Sequence, residues 1–388
     1  MNKKWSYVPF DTLFEWKQKS HIKSGEGQKT GHYKMFVCSD TEIKRFDEYI
    51  ESGESLVFGT GGKASCHFVD DKFAYSTDCV VAQKKKTDIY TKFYYYYFRQ
   101  KRLNAIQKTF TGSGLQHTSK KKIGALLVPV VDFEEQKHIV AKIEELFSEL
   151  DNSVETLQKA KQQLAVYRQA VLKDAFEIAV KCCGKLTPIE NFLSEDRKGM
   201  STGPFGTMIK KHEHKQKGVP MLGIENIGEG KFVDGNKIFV TAEKAQQLKS
   251  FMLRGGDIII SRSGTVGEIC AVPKRMEGAL LSTNLMRVSL NPEKVLSEYF
   301  IYMFQSKGVV LDQVKELCKG STRVFLNQNI LKQIQFPIPS IEKQVKLVAE
   351  IESQLSVCDN IEKSIEVALE QAEAMRQSIL KKAFEGKF

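Results

Sequence analysis

Several stretches of this chain have the residue types for chemistry, but few have the spacing for it. Gly59-Thr60-Gly61-Gly62-Lys63 is a glycine-rich turn whose backbone N–H groups could cradle a phosphate. No GxxxxGK[ST] loop accompanies it, so that phosphate would belong to a polyanion's backbone and not to a nucleotide. Asp70-Asp71-Lys72 and Glu42-Ile43-Lys44 resemble the carboxylate-x-lysine pieces of nucleases, but such triplets arise freely in a lysine-rich chain. Asn291-Pro292 continues with Glu293, without the second proline and aromatic of an amino-methyltransferase. His212 and His214 lack a further ligand set, and the eight cysteines form no CxxC pair. We therefore expect no catalytic residues, no metal and no disulfide framework, and a reducing, cytoplasmic setting. The start, MNKKWSYVPF, lacks a signal peptide's apolar stretch, and no run is long enough for a membrane span.

Lysine remains. It clusters at Lys84-Lys85-Lys86, at Lys120-Lys121-Lys122, and at Lys210-Lys211 with Lys215 and Lys217 following. The chain carries +11, and the excess is unevenly placed. Residues 1–127 hold 22 Lys+Arg against 13 Asp+Glu, and residues 181–335 hold 23 against 15. Residues 128–180 hold 6 against 10, and residues 336–388 hold 7 against 9. Two basic segments thus alternate with two acidic ones. Phosphate neutralisation needs Lys and Arg, so nucleic acid would be met by the basic segments.

The acidic segments are copies of each other. Val128–Glu177 and Phe336–Glu385 align without a gap at an offset of 208, with 19 of 50 positions identical. Gln136 matches Gln344, Asp151-Asn152 matches Asp359-Asn360, and Arg168-Gln169 matches Arg376-Gln377. Just upstream, Gly112-Ser113 matches Gly320-Ser321. Apolar residues recur at three- and four-residue steps: Ile139, Ile143, Leu146, Leu150, Val154, Leu157, Leu164, Tyr167 and Val171 in the first copy. Leu347, Ile351, Leu355, Cys358, Ile361, Ile365, Ala368, Ala372, Met375 and Ile379 follow the same steps in the second. Lys161 interrupts the first seam, beside Ala160. Each copy therefore predicts a helix of roughly 65 Å with one apolar seam. Two such seams in one chain most simply cover each other as an antiparallel pair; a coiled coil with a separate partner is the alternative. Asp132, with Glu135 three residues on, marks the first helix start.

The basic segments share landmarks more than sequence. Gly53–Lys63 and Gly255–Gly267 each read as turn, buried strand, then polar glycine-rich turn. Ser76-Thr77-Asp78 parallels Ser282-Thr283-Asn284. Phe93-Tyr94-Tyr95-Tyr96-Tyr97-Phe98 answers Tyr299-Phe300-Ile301-Tyr302-Met303-Phe304 as a helix-like stretch, where packing into a core is favoured over base stacking.

GPFGTMIKK at 203–211, GVPMLGIENI at 218–227, LRGGDIIISRSGTVGE at 253–268 and STNLMRV at 282–288 resemble a target recognition domain. GSTRVFLNQNILKQIQFPIPSIEKQ at 320–344 resembles the passage from such a domain into its helix. In order and repeat spacing the whole chain is similar to the specificity subunit of type I restriction-modification systems. The first basic segment departs from the GPFG pattern, and its junction at 112–124 matches the second only loosely.

The resemblance implies an α+β protein with a pseudo-twofold internal repeat. Two mixed α/β target recognition domains, 1–127 and 181–335, would be separated by a central conserved helix, 128–180, and a C-terminal one, 336–388. It implies a DNA reader without chemistry of its own. Each domain would read half of a bipartite asymmetric site on double-stranded DNA, and the coiled coil would set the spacer, at most about 19 base pairs at 3.4 Å each. Methyltransferase (M) subunits, two of them, and restriction-translocase (R) subunits would be partners, with S-adenosylmethionine, ATP and Mg on those subunits. Candidate contacts are Lys63, Lys85, Ser113, Gln116, His117 and Lys120 in the first domain. In the second they are Lys210, Lys211, Asn226, Arg262, Ser263, Arg323 and Asn327. The rival class is a coiled-coil scaffold with basic nucleic-acid-binding ends, unrelated to DNA modification.

Overall fold

The structure is a computed structural model that describes residues 5–205, 208–264, 266–317 and 326–387, the side chains of Lys101, Arg102 and Lys315 apart. The chain divides into two compact units, one of Met1–Lys159 with Ile365–Phe388 and one of Ala160–Ser364. Each holds a basic segment and a stretch of both long helices, Phe133–Cys183 and Ile341–Phe384.

In the first unit a four-stranded antiparallel sheet runs in the order Phe14–Trp16, Cys79–Lys84, Ser55–Gly59, Cys66–Val69. Beside it Tyr33–Phe36 pairs antiparallel with Ile43–Phe46 and parallel with Phe73–Tyr75. A short ribbon, Ser6–Pro9 with Leu127–Val130, closes the segment. The second unit repeats this. Its four-stranded sheet is Met200–Thr202, Leu285–Val288, Ile258–Ser261, Ile269–Ala271. Val219–Leu222 pairs antiparallel with Ile238–Val240 and parallel with Leu280–Leu281. Thr187–Pro188 with Gln335–Phe336 is the ribbon. Across these strands order, partners and direction agree; the second unit adds a short antiparallel pair, Ile227–Gly228 with Lys231–Phe232. The duplication covers the basic segments as well as the helices.

The apolar runs Ser55–Gly59 and Ile258–Ser261 form central strands because both of their faces are covered. Leu56 and Phe58 enter one core and Val57 another; Ile258 and Ile260 enter one and Ile259 another. The tyrosine-rich run is the helix Thr91–Arg99, and it is core as expected. Phe93, Tyr94 and Phe98 are buried, Tyr94 donates to the Pro129 carbonyl, and Tyr97 packs edge-on against Phe384. Tyr299 donates to the Pro337 carbonyl in the same way. Burial also pushes the Cys79 and Cys270 thiols up to about 12. Both should resist iodoacetamide in the native chain at pH 8, while exposed Cys182 reacts. Site-resolved mass spectrometry checks this; labelling of Cys270 as fast as Cys182 would refute the packing.

In the second unit the helix stretches run antiparallel, since Lys161 meets Glu362 while Tyr167, farther along, meets Gln354. Arg168 bridges Asp359 at 2.7 Å and Glu362 at 3.1 Å. The copy of Arg168, Arg376, pairs with Asp151, the copy of Asp359, and lies over Phe147 in the first unit. The repeated Arg-Gln and Asp-Asn dipeptides thus mark one ion pair made twice. The seam is narrower than the periodicity predicts. Tyr167, Ile361 and Met375 are exposed, because two helices cover only a narrow stripe of each other. Asp132 accepts from the Glu134 N–H at the helix start.

Each helix is also fastened to its own basic segment by a buried glutamine. Gln136 accepts the Tyr90 N–H through Oε1 and donates through Nε2 to the Val131 and Asp88 carbonyls. Gln344 accepts the Leu296 N–H and donates to the Pro339 and Lys294 carbonyls. The geometry is the same in both units.

Candidate nucleic-acid interface

In the first unit, backbone pairing brings four predicted residues together. Gly62 N–H donates to the Gln116 carbonyl at 3.0 Å, Thr118 N–H to the Thr60 carbonyl, and His117 exchanges both bonds with Thr111. Lys63, Ser113, Gln116 and His117 are thereby exposed on two adjoining loops. Lys63 and Gln116 also line a cavity of about 710 Å³ with Asp40, Arg99 and Glu373. Lys85 and Lys120 lie elsewhere on the segment, tied to its N-terminal stretch. The Lys85 Nζ donates to the Asp11 carbonyl and the Lys120 Nζ to the Lys17 carbonyl, each at 2.5 Å. Burial and the neighbouring Lys19 lower the pKa of Lys120.

The glycine-rich turn is no phosphate cradle. Its amides are already used: Thr60 N–H donates to the Asp78 carbonyl, Gly61 N–H to Cys38 Sγ, and Gly62 N–H to Gln116. Gly59 N–H is taken by Ser65. The turn's work is to hold the loop of Gln116 and His117.

In the second unit the predicted residues divide. Lys210 and Lys211 are exposed on a short turn, where Glu213 accepts the Lys210 N–H and pairs with Lys244. Ser263 donates to the Asn284 side chain at 3.2 Å, near Thr283, whose hydroxyl donates to the Pro204 carbonyl. Asn226 and Arg262 are not readers. Asn226 is 0% exposed, and its amide holds a turn by accepting the Gly223 N–H and donating to the Val233 carbonyl. Arg262 is 3% exposed, donates to the Leu326 and Thr283 carbonyls, and lies 5.3 Å from the Phe205 ring. Burial lowers its pKa. It positions the loops around it. Asn327 is spent as the cap of the helix Gln328–Gln333, accepting the Ile330 N–H. Arg323, Gly320-Ser321, Gly206 and Thr265 lie outside the described residues.

The residues that sequence reasoning passed over are Phe205, Thr283 and Asn284. Phe205 is 51% exposed, an apolar ring held out by Arg262 beneath it; Thr283 and Asn284 are exposed next to it. The signal was present in the GPFG and STN motifs. Gly203 is required there, since a Cβ on it would stand 1.9 Å from the Ser282 carbonyl oxygen. Together these loops offer exposed lysines, hydroxyls, amides and one aromatic. That set suits phosphate neutralisation and base-edge hydrogen bonding.

Comparison with known proteins agrees with this chemistry. Residues 2–164 and 204–371 both match the family described as type I restriction modification DNA specificity domain. The EcoBI specificity subunit of Escherichia coli is 25% identical over 358 residues, covering 86% of this chain and 73% of its own length. The MjaVIII specificity subunit of Methanocaldococcus jannaschii is 23% identical over 346 residues, 87% of this chain and 80% of that protein. Among solved structures, a chain from a study of type I R-M complex assembly and conformational transition superposes with a TM-score of 0.70 at 16% identity, covering 100% of this chain and 99% of that one. The HsdS subunit from Thermoanaerobacter tengcongensis gives 0.54 at 15%, covering 99% and 97%. With both repeats of the chain matched and the fold shared from end to end, this protein belongs to the family of type I restriction-modification DNA specificity proteins.

Proposed function

We propose that this chain is the non-catalytic specificity subunit of a type I restriction-modification complex, and that each unit reads one half of a bipartite asymmetric site on double-stranded DNA. The observation that carries this reading is the pairing of one scaffold with two loop sets. Strand order and direction agree between the units, while the exposed loops differ: Gln116 and His117 in one, Phe205, Ser263 and Asn284 in the other. Loops decide which base edges are met. Two loop sets read two different words.

The helices set the spacer and dock methyltransferase subunits, two per chain. Support comes from apolar residues left uncovered on them, among them Val166, Tyr167 and Ile178 in one unit and Val367 and Met375 in the other. Restriction-translocase subunits complete the complex. S-adenosylmethionine, ATP and Mg are bound by these partners. The complex works in the cytoplasm, in keeping with the free thiols; no helix among the described residues is long and apolar enough to cross a membrane.

The test is to co-purify the chain with its methyltransferase and map methylated positions across a genome. One split motif with two defined halves is expected, and Gln116→Ala with His117→Ala should relax one half and leave the other intact. Methylation without a motif, or no association with a methyltransferase, would sink the reading.

A further inference from the structure

Arg287 is a buried cation that makes no ion pair among the described residues and shares the field of Asp257 with Arg197. It sits in the strand Leu285–Val288 and is 2% exposed. Met286 and Val288 face one core; by alternation Arg287 faces the other side, with Leu285. Every hydrogen bond it makes goes to a main-chain carbonyl: Lys198 at 2.7 Å, Met252 at 3.4 Å and Ser250 at 3.5 Å. Its Nε has no partner. The carboxylate that would pair with it is Asp257, and Asp257 is occupied. It accepts from Arg197 at 3.0 Å, from the Arg254 N–H at 2.7 Å and from the Ser289 hydroxyl at 2.6 Å.

The guanidinium borders a cavity of about 630 Å³, whose walls include Arg197, Lys198, Lys249 and Arg254, with Glu277 as the sole acid. Asp196 takes Arg254. Among the described residues neither Lys198 nor Lys249 is in an ion pair, and both are exposed at the rim. Arginine does not shed its proton near neutral pH, so a buried guanidinium needs a negative partner. Among the described residues the negative charge beside it is that of Asp257, whose oxygens bond Arg197, the Arg254 N–H and Ser289 and leave none bonded to Arg287. We infer that this cavity binds an oxyanion of the phosphate class, held by Arg287 at its floor and by Lys198 and Lys249 at its rim. A planar guanidinium beside two flexible ammonium groups matches a tetrahedral oxyanion, and the space admits the ester substituents of a phosphodiester. The phosphate can come from a DNA backbone or be free; only the first source rests on the DNA-reading function.

The experiment uses the full chain and inorganic phosphate at constant ionic strength against chloride. Phosphate should raise the melting temperature saturably. Lys198→Gln with Lys249→Gln, both on the surface, should weaken phosphate by about tenfold or more. Arg287→Met should abolish the shift; if that variant does not fold, the double lysine variant carries the test. A phosphate shift that is unchanged in the lysine variant, or is absent in the wild type, overturns the site. Duplex DNA binding then separates the sources. If the ligand is backbone phosphate, inorganic phosphate competes with duplex and the lysine variant loses about two units from the slope of log K against log salt. If duplex binding is unaffected while phosphate binding is lost, the ligand is a free oxyanion. Failure of the chain to bind DNA at all would strike the DNA-reading function and leave the phosphate result standing.

Discussion

Gln136→Leu should lower stability by about 3–5 kcal/mol. The side chain is nearly inaccessible and makes three hydrogen bonds to the main chain. Leucine fits the volume but leaves the Tyr90 N–H and the Val131 and Asp88 carbonyls without their partner. A buried polar group left unsatisfied costs about 1–3 kcal/mol, and relaxation or water entry recovers part of three such losses. Gln344→Leu should do the same to the second unit. Denaturant midpoints measure the loss, and hydrogen exchange at Tyr90 or Leu296 localises it. A change below about 1 kcal/mol in either would show that the glutamine merely fills space.

The second large effect is electrostatic. Converting Lys210, Lys211, Lys215 and Lys217 together to glutamine should weaken duplex DNA binding by about a thousandfold or more near 0.1 M salt. All four are exposed, and among the described residues none is in an ion pair. Each phosphate contact contributes about 0.9 to the salt slope and roughly tenfold in affinity at that salt. Binding titrations across a salt series separate the two quantities. On the proposed role, in which these side chains meet phosphates, the loss should be uniform across sequences, with base preference retained. A changed base preference with an unaltered slope would assign the turn to base reading instead.

What could be read in the amino-acid order depended on how local the constraint was. The helix repeat was plain because Arg168, Asp359 and their copies must keep identity to keep their ion pairs. The repeat in the basic segments was legible only at landmarks, the paired strands after Gly53 and Gly255 and the paired aromatic helices, although strand order and direction are the same. There Leu56-Val57-Phe58 and Ile258-Ile259-Ile260 do one job with different apolar residues, and a core asks for volume and pattern rather than identity.

Polarity does not mean exposure at two of the candidate positions. Asn226 and Arg262 look like readers in a line of letters, but their partners, Val233, Thr283 and Leu326, are backbone atoms up to 64 residues away. The glycine-rich turn misled for the same reason, since Asp78 and Gln116 take its amides. Asn226 gave one local hint: its Oδ1 accepts from a glycine three residues back, a short turn that Asn commonly closes.

The glutamine fastening has an evolutionary consequence. Its grip is entirely on main-chain atoms, Tyr90 N–H and the Asp88 carbonyl in one unit, Leu296 N–H and the Lys294 carbonyl in the other. Asp88 stands where Lys294 stands in the other copy, and the joint is blind to the difference. Mutation can therefore rewrite the side chains of either basic segment without the joint registering it. Heredity is left free to trade vocabularies while the grammar that joins them is inherited unchanged.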